Sequence, residues 1–446
     1  MVLINGFATF LGRKNTYPYL INALQEMSHR AWAGYLIEGK KSIKVKNSQE
    51  LHQQSLSAKS ISGYCLATDF YDKEDTLIHG TIYGSKGTHI GSRIKHLGQE
   101  PSKLAEFLRD ADGEYTFSCL DKDKIVFGRD PLGVKPLFIG RREGVLGVAT
   151  DSNALRAVGM ETEAVSPGFV YSTDLARLDK FVIKSIEGGR DWNSDANEGA
   201  ENVLRLLNKS IKTRIKGKNI AIGFSGGLDS SLLAHLASKI SNIRLISVFT
   251  PGSIDEYESK ASAASLGLDL IEICLSKERI KQLVTSISTY IERRSPMDLS
   301  IGVVVNEVAL AARKEGCNAI ILGQLADELF GGYMKYLRAY EQKGHGESQS
   351  MMMHDIKTAY KSNFQRDEAA ASFFTELLLP YASFDLANYA VTLHPSLKMN
   401  IEKNSRKIVL REAALRVGLP ENIAFKPKKA MQYSSKIQKY IEKMQL

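Results

Sequence analysis

One stretch constrains this chain more than any other. Ala221-Ile222-Gly223-Phe224 runs into Ser225-Gly226-Gly227-Leu228-Asp229-Ser230-Ser231, and an apolar pattern of helical spacing follows. A short apolar run before such a turn reads as a buried strand, and the pattern after it as a helix. That corner aims several backbone N–H groups, with the positive end of a helix, at one point. Gly226 and Gly227 let the backbone turn sharply and approach oxygen atoms closely, while Ser225, Ser230 and Ser231 add hydroxyl donors. The loop is suited to an anion. It lacks the lysine with which a GxxxxGK[ST] loop reaches terminal phosphates, and it carries Asp229, a ligand type for Mg²⁺. Backbone donors, hydroxyls and one metal-binding carboxylate suit pyrophosphate as a leaving group.

The surrounding texture supports an α/β region. Helical patterns at 201–213, 230–241, 257–266 and 302–315 alternate with apolar runs at 219–224, 245–250, 268–274 and 319–323. That alternation predicts right-handed βαβ units around a parallel sheet. Beyond about 335 the pattern is mostly helical, and 341–355 shows no periodicity and is expected to form a mobile loop. The first 185 residues differ. Short alternating strands, among them 115–120 and 124–127, are punctuated by glycines, with helices near 17–28 and 103–110, which predicts a β-rich α+β domain. The polar, glycine-containing stretch 187–200 is the linker candidate. The expected division is 1–186, a linker 187–200, and 201–446.

Composition narrows the classes. A chain of 446 residues favours two or three domains. No run approaches the roughly 18 apolar residues of a spanning helix, and the start has no signal-peptide pattern, so a cytoplasmic protein with no membrane partner is expected. Four cysteines, widely separated and without a CxxC pair, argue against a disulfide framework or zinc ribbon. The net charge of +9 is compatible with a nucleic-acid partner, but no basic run interleaved with aromatics appears, so that partner is not favoured. A homodimer is compatible with the sequence.

The motifs then converge. Ser225–Ser231 resembles the pyrophosphate loop of the ATP-pyrophosphatase superfamily, and GQLADELFGGY (323–333) is similar to the GEGADELFGGY signature of class II, glutamine-hydrolysing asparagine synthetases. GRDPLGVKPLF (128–138), SPGFVY (166–171) and KIVLREAA (407–414) resemble further segments of that family, in its order. SPMDLSIGVVV (295–305) and KPKKAMQYSSKI (426–437) look more like the asparagine synthetase domain-containing branch. The resemblance implies an N-terminal Ntn-hydrolase-like α+β sandwich, a type 2 glutamine amidotransferase fold. It implies a C-terminal α/β parallel-sheet ATP-pyrophosphatase domain of the adenine nucleotide alpha hydrolase-like type. The implied reaction adenylates aspartate or a related small-molecule carboxylate with ATP and Mg²⁺. Ammonia or another amine then attacks, giving amide, AMP and pyrophosphate. Carried over by position, Ser225, Gly226, Gly227, Leu228, Asp229, Ser230 and Ser231 would bind pyrophosphate. Asp229 and Asp327 would hold Mg²⁺, and Val248, Leu322 and Gly323 would line the AMP pocket. Lys428, Asp327 and Glu328 would serve catalysis, with Lys428 stabilising charge on the α-phosphate.

Several positions depart from the family. The glutaminase nucleophile is a cysteine at position 2, where this chain has Val2; HRGPD reads His29-Arg30-Ala31-Trp32-Ala33; and the oxyanion-hole asparagine of NGEIYN is His79. These changes predict an inactive glutaminase scaffold. In the synthetase half the first glutamate of GEGADE is Gln324, and ExRxPFLD reads Glu376-Leu377-Leu378-Leu379-Pro380-Tyr381-Ala382-Ser383. An amide cannot act as a general base near neutral pH. Nucleotide and carboxylate activation are therefore better supported than the particular pair of aspartate and ammonia. The competing classes are an RNA-modifying adenylating enzyme of the same superfamily and a non-catalytic ATP-binding scaffold.

Overall fold

The computed structural model describes residues 4–12, 17–26, 34–38, 41–45, 60–66, 76–84, 90–121, 124–188, 192–426 and 435–444. They fall into two compact units, Met1–Ser185 and Ile186–Leu446.

The first unit is an antiparallel sandwich of a seven-stranded and a five-stranded sheet. Strand alternation builds it, because successive side chains point to opposite faces. In the strand Ile4–Gly12, Phe7 and Leu11 face the other sheet, where they meet Leu77, Ile125, Phe127 and Tyr171. Ala8 and Phe10 point outward, under Leu20 and Ala23 of the helix Tyr17–Glu26. The opposite outer face is covered by Ile94, Leu104 and Leu108 from the helices Ile90–Gly98 and Pro101–Arg109. The two strands expected near 115–120 and 124–127 pair antiparallel: Asp112–Asp121 runs beside Lys124–Arg129, with Asp121 opposite Lys124.

The second unit is a five-stranded parallel sheet in the order Leu270–Cys274, Ile243–Phe249, Ile220–Gly223, Ala319–Ile321, Glu376–Leu378. Ile220, Ala221, Ile222, Leu245, Ile246, Ile320 and Ile321 are buried, as a sheet covered on both faces requires. The strand Ile220–Gly223 sits at its centre, so the turn leaving it at Phe224 opens at the carboxyl ends of the strands, where open α/β sheets bind ligands.

Three expectations need correction. Part of the linker candidate, 187–200, is helix: Asp195 accepts from the N–H groups of Asn197 and Glu198 and starts the helix Ala196–Ile215. The segment 341–355 is not a loop, because Met334–Lys343 and His345–Thr358 are helices broken only at Gly344. Ser348, Met352 and Ile356, four residues apart, are buried there; the polar members of that stripe hid its period. Within the stretch beyond 335, expected to be mostly helical, Glu376–Leu378 is an edge strand of the sheet, and Leu377, Leu378 and the following Leu379 are fully buried.

Candidate functional site

The anion loop is braced from three sides. Gly226 has φ +70°, and a Cβ there would overlap the Glu258 carbonyl on the helix Ile254–Leu266. Only glycine takes that conformation so close to another backbone without strain. Ser262 Oγ donates to the Gly226 carbonyl at 2.9 Å, and Lys426 Nζ donates to the same oxygen at 3.1 Å and to Ser262 Oγ at 2.8 Å. Ser225 Oγ lies 3.3 Å from Ser230 Oγ and accepts from Gly227 N–H at 3.4 Å. The helix Leu228–Ser238 that follows has no side-chain N-cap, which suits a helix whose first turn is to meet an anion.

A cleft of about 570 Å³ opens in front of the loop. Ser225, Asp229, Ser230, Asp327 and Glu328 line it together with the apolar side of Val248, Leu322, Gly323, Met297, Ile301 and Val304. The structure thus gathers most of the residues singled out in the sequence. Gly226, Gly227 and Leu228 shape the turn without lining the cleft, and Ser231 is fully buried behind it. Lys428, Val2 and residues 29–33 lie outside the described residues.

Asp327 and Glu328 open the short helix Ala326–Phe330, entered through Leu325 at φ +76°. A non-glycine residue held in that region costs on the order of 1–3 kcal/mol and persists where surrounding packing over-determines it. Leu325 is buried, which supplies that packing. Glu328 is 3% exposed and accepts from Tyr333 Oη at 3.0 Å and Asn363 Nδ2 at 3.1 Å. Burial, reinforced by the neighbouring Asp327 charge, pushes its carboxyl up to about 7. Burial and the Glu328 carboxylate likewise drive the Tyr333 phenol well up.

One group at the site was missed by sequence reasoning. Lys407 Nζ lies 2.6 Å from both carboxylate oxygens of Asp229 and 2.6 Å from Asp327 Oδ1, with its side chain 2% exposed. The segment around it is tied down at each end. Arg406 donates to the Gly332 carbonyl at 2.7 Å, and Arg411 donates to the carbonyls of Arg406, Ala424 and Lys426. Gly332 is the floor of the cluster, because a Cβ there would overlap Asp327 Oδ1 and lie 2.5 Å from Lys407 Cε. A lone lysine ahead of an amphipathic helix carries no signal of its own; the surrounding KIVLREAA resemblance was the only pointer.

Gln324 also finds a physical account. Its Nε2 donates to Asp367 Oδ2. Asp367 is fully buried and accepts from Arg366 Nε at 2.9 Å, and Arg366 donates to Asp298 Oδ1 at 3.2 Å. Burial raises the Asp367 carboxyl, against the opposing pull of Arg366 and of the Gln324 amide. A glutamate at 324 would set two carboxylates against each other; the amide satisfies Asp367 instead.

The two aspartates suit a divalent cation delivered with phosphates. Mg²⁺ is commonly held by one or two carboxylates together with substrate phosphates, and Asp229 and Asp327 lie no further apart than two 2.6 Å contacts laid end to end. Among the described residues no cluster of three or more His, Cys, Asp or Glu forms a self-sufficient metal site.

In the first unit the GRDPLGVKPLF segment is a brace. Asp130, 1% exposed, accepts from the N–H groups of Leu132, Val134 and Lys135, and Arg129 donates to the carbonyls of Val165 and Gly133. His79 lies buried in the strand Thr76–Tyr83 opposite Thr116. Among the described residues no helix is long and apolar enough to cross a membrane.

Comparison with known proteins agrees with this anatomy. The sequence matches the asparagine synthase family over residues 202–347 and 340–445, and the glutamine amidotransferase domain over residues 84–157. The putative asparagine synthetase (glutamine-hydrolyzing) 1 of Methanocaldococcus jannaschii is 29% identical over 402 residues, covering 79% of this chain and 73% of that protein. Asparagine synthetase B (glutamine-hydrolyzing) of Escherichia coli is 27% identical over 357 residues, covering 73% of this chain and 62% of that protein. A probable asparagine synthetase (glutamine-hydrolyzing) of Acanthamoeba polyphaga mimivirus is 24% identical over 359 residues, covering 72% of this chain and 64% of that protein. The chain therefore spans less than two thirds of the latter two. With a family match across more than half of its length, the chain belongs to the asparagine synthase family.

Proposed function

We propose that this protein is an AMP-forming carbon–nitrogen ligase that adenylates a small carboxylic acid with ATP and transfers ammonia or another amine to it. The observation that carries the reading is one cleft lined by the loop residues Ser225, Asp229 and Ser230, by Asp327 and Glu328, and by the apolar Val248, Leu322 and Val304. Adenylation turns a resonance-stabilised carboxylate into a mixed anhydride, and its difficulty is the charge left on the departing pyrophosphate. Ser225, Ser230 and the backbone of Gly226–Ser231 are assigned to those phosphates, as preorganised donors aimed at developing charge. Val248, Leu322 and Gly323 receive the adenosine. Bound at Asp229 and Asp327, Mg²⁺ would neutralise pyrophosphate oxygens as the α-phosphate is attacked. Lys428 is assigned to the α-phosphate charge.

Gln324 has no basic function, so the proton of the attacking amine goes to Glu328, held by Tyr333 and Asn363 within the cleft. Glutamine is not the nitrogen source, because His79 stands where the amidotransferase family places its oxyanion-hole asparagine. The acting partners are thus small molecules, and the protein works wherever ATP and free amine are available, the cytoplasm being the expected compartment.

The test is a pyrophosphate-release screen over carboxylic acids with ATP, Mg²⁺ and ammonium. A carboxylate-dependent signal that is lost in Asp229→Ala, and that glutamine cannot replace ammonium in producing, supports the reading. Release of glutamate from glutamine would overturn the nitrogen-source assignment. Release that persists in Asp229→Ala would overturn the site.

A further inference from the structure

The Lys407 ammonium is in contact with three oxygens of the two carboxylates assigned to Mg²⁺. Asp229 and Asp327 line the cleft, whereas Lys407 does not; it meets them from the protein side, buried, with Gly332 packed against its stem. Its backbone is held at φ +60° immediately before the helix Ile408–Arg416, and Arg406 and Arg411 on either side are tied to carbonyl groups. The lysine is therefore a fixed part of the site rather than a side chain that has wandered in. The two contacts to Asp229 are short charge-assisted hydrogen bonds, and the one to Asp327 is an ion pair at the same distance.

We propose that Lys407 is a built-in counter-cation. It keeps the two aspartates together and poised in the empty protein, and by cancelling half of their charge it makes free divalent cations bind weakly. Metal then enters with nucleotide, whose phosphates supply the missing negative charge and the remaining ligands. The consequence is coupling: the protein does not idle with a metal ion in its cleft, because metal without nucleotide is held only weakly. The inference rests on the reading of the cleft as a metal–nucleotide site. It adds a positioning residue whose effect falls on metal affinity before any chemistry occurs.

The test is Mn²⁺ binding, followed by the electron paramagnetic resonance signal of free Mn²⁺, in the wild type, Lys407→Met and Lys407→Gln. Each protein is measured with and without a non-hydrolysable ATP analogue, after circular dichroism has established that it is folded. The expected result is weak Mn²⁺ binding by the empty wild type and at least tenfold tighter binding by either empty variant. Mn²⁺ alone should also recover the melting temperature that the variants lose. Two outcomes overturn the proposal: an empty wild type that binds Mn²⁺ as tightly as the variants, or variants that fold but gain no affinity. The wild-type arm needs no variant: if neither variant folds, binding of Mn²⁺ to the empty wild type as tight as to the analogue-bound protein still overturns the proposal. A wild type that binds no Mn²⁺ even with the analogue counts instead against the nucleotide-site reading.

Discussion

Restoring the family's glutamate at position 324 looks like a repair, yet the structure opposes it. Gln324 Nε2 donates to Asp367 Oδ2, and Asp367 is wholly buried. Its other oxygen is taken by Arg366, which Asp298 already shares. In Gln324→Glu two carboxylates would meet where one hydrogen bond now stands. Two unit charges about 4 Å apart repel by about 4 kcal/mol at an effective dielectric of 20. That is about 3 pK units, so a glutamate of ordinary pKa near 4.3 would titrate near 7. A carboxyl whose folded pKa is raised contributes stability when protonated and loses it as pH climbs toward the folded pKa. The penalty should therefore be about 1 kcal/mol at pH 5 and about 4 kcal/mol at pH 8. Urea unfolding followed by circular dichroism across that range measures it, and Gln324→Glu/Asp367→Asn should recover most of the loss. A Gln324→Glu protein as stable as wild type at pH 8 would refute the assigned contact and the explanation of the glutamine with it.

Other expectations concern distinct parts of the molecule. Gly332→Ala should cost at least 1–3 kcal/mol by overpacking and should weaken nucleotide binding, since its Cβ would overlap Asp327 Oδ1; isothermal titration with an ATP analogue reads the second effect. Lys398 is fully buried, no hydrogen-bond partner is found for its Nζ among the described residues, and burial lowers its amine to about 7. A depressed amine costs stability as pH falls from its ordinary value toward 7, so Lys398→Met should gain on wild type over that interval, by up to on the order of 5 kcal/mol. Urea midpoints at pH 7 and 9.5 test this, and a difference that does not grow at pH 7 contradicts it. Arg366→Met leaves Asp298 and Asp367 buried without their shared cation and should destabilise by about 3–5 kcal/mol, measured by thermal unfolding.

Much of the fold was legible because its signals are local. The strand–glycine turn–helix of 220–238 and the alternation after it follow from periodicity, and the structure places them in one parallel sheet. The helix His345–Thr358 was not legible: two glycines and a run of polar residues mask a buried stripe in which serine and glutamine stand beside methionine. The strand Glu376–Leu378 escaped because three residues carry no period, although its leucines are fully buried. At the site the carboxylates could be named in advance, since a motif surrounds each. Lys407 and Asp367 could not, because each meets its partner across a long stretch of chain, and the KIVLREAA segment that Lys407 opens does not say which of its residues reaches the cleft.

The most direct measurement is isotope exchange of labelled pyrophosphate into ATP, run with Mg²⁺ and a panel of carboxylic acids in the absence of amine. Reversible transfer of adenylate to a carboxylate predicts exchange that requires one class of acid and vanishes in Asp229→Ala and Asp327→Ala. Exchange that ignores the acid, or that survives loss of either aspartate, would contradict the account at its root.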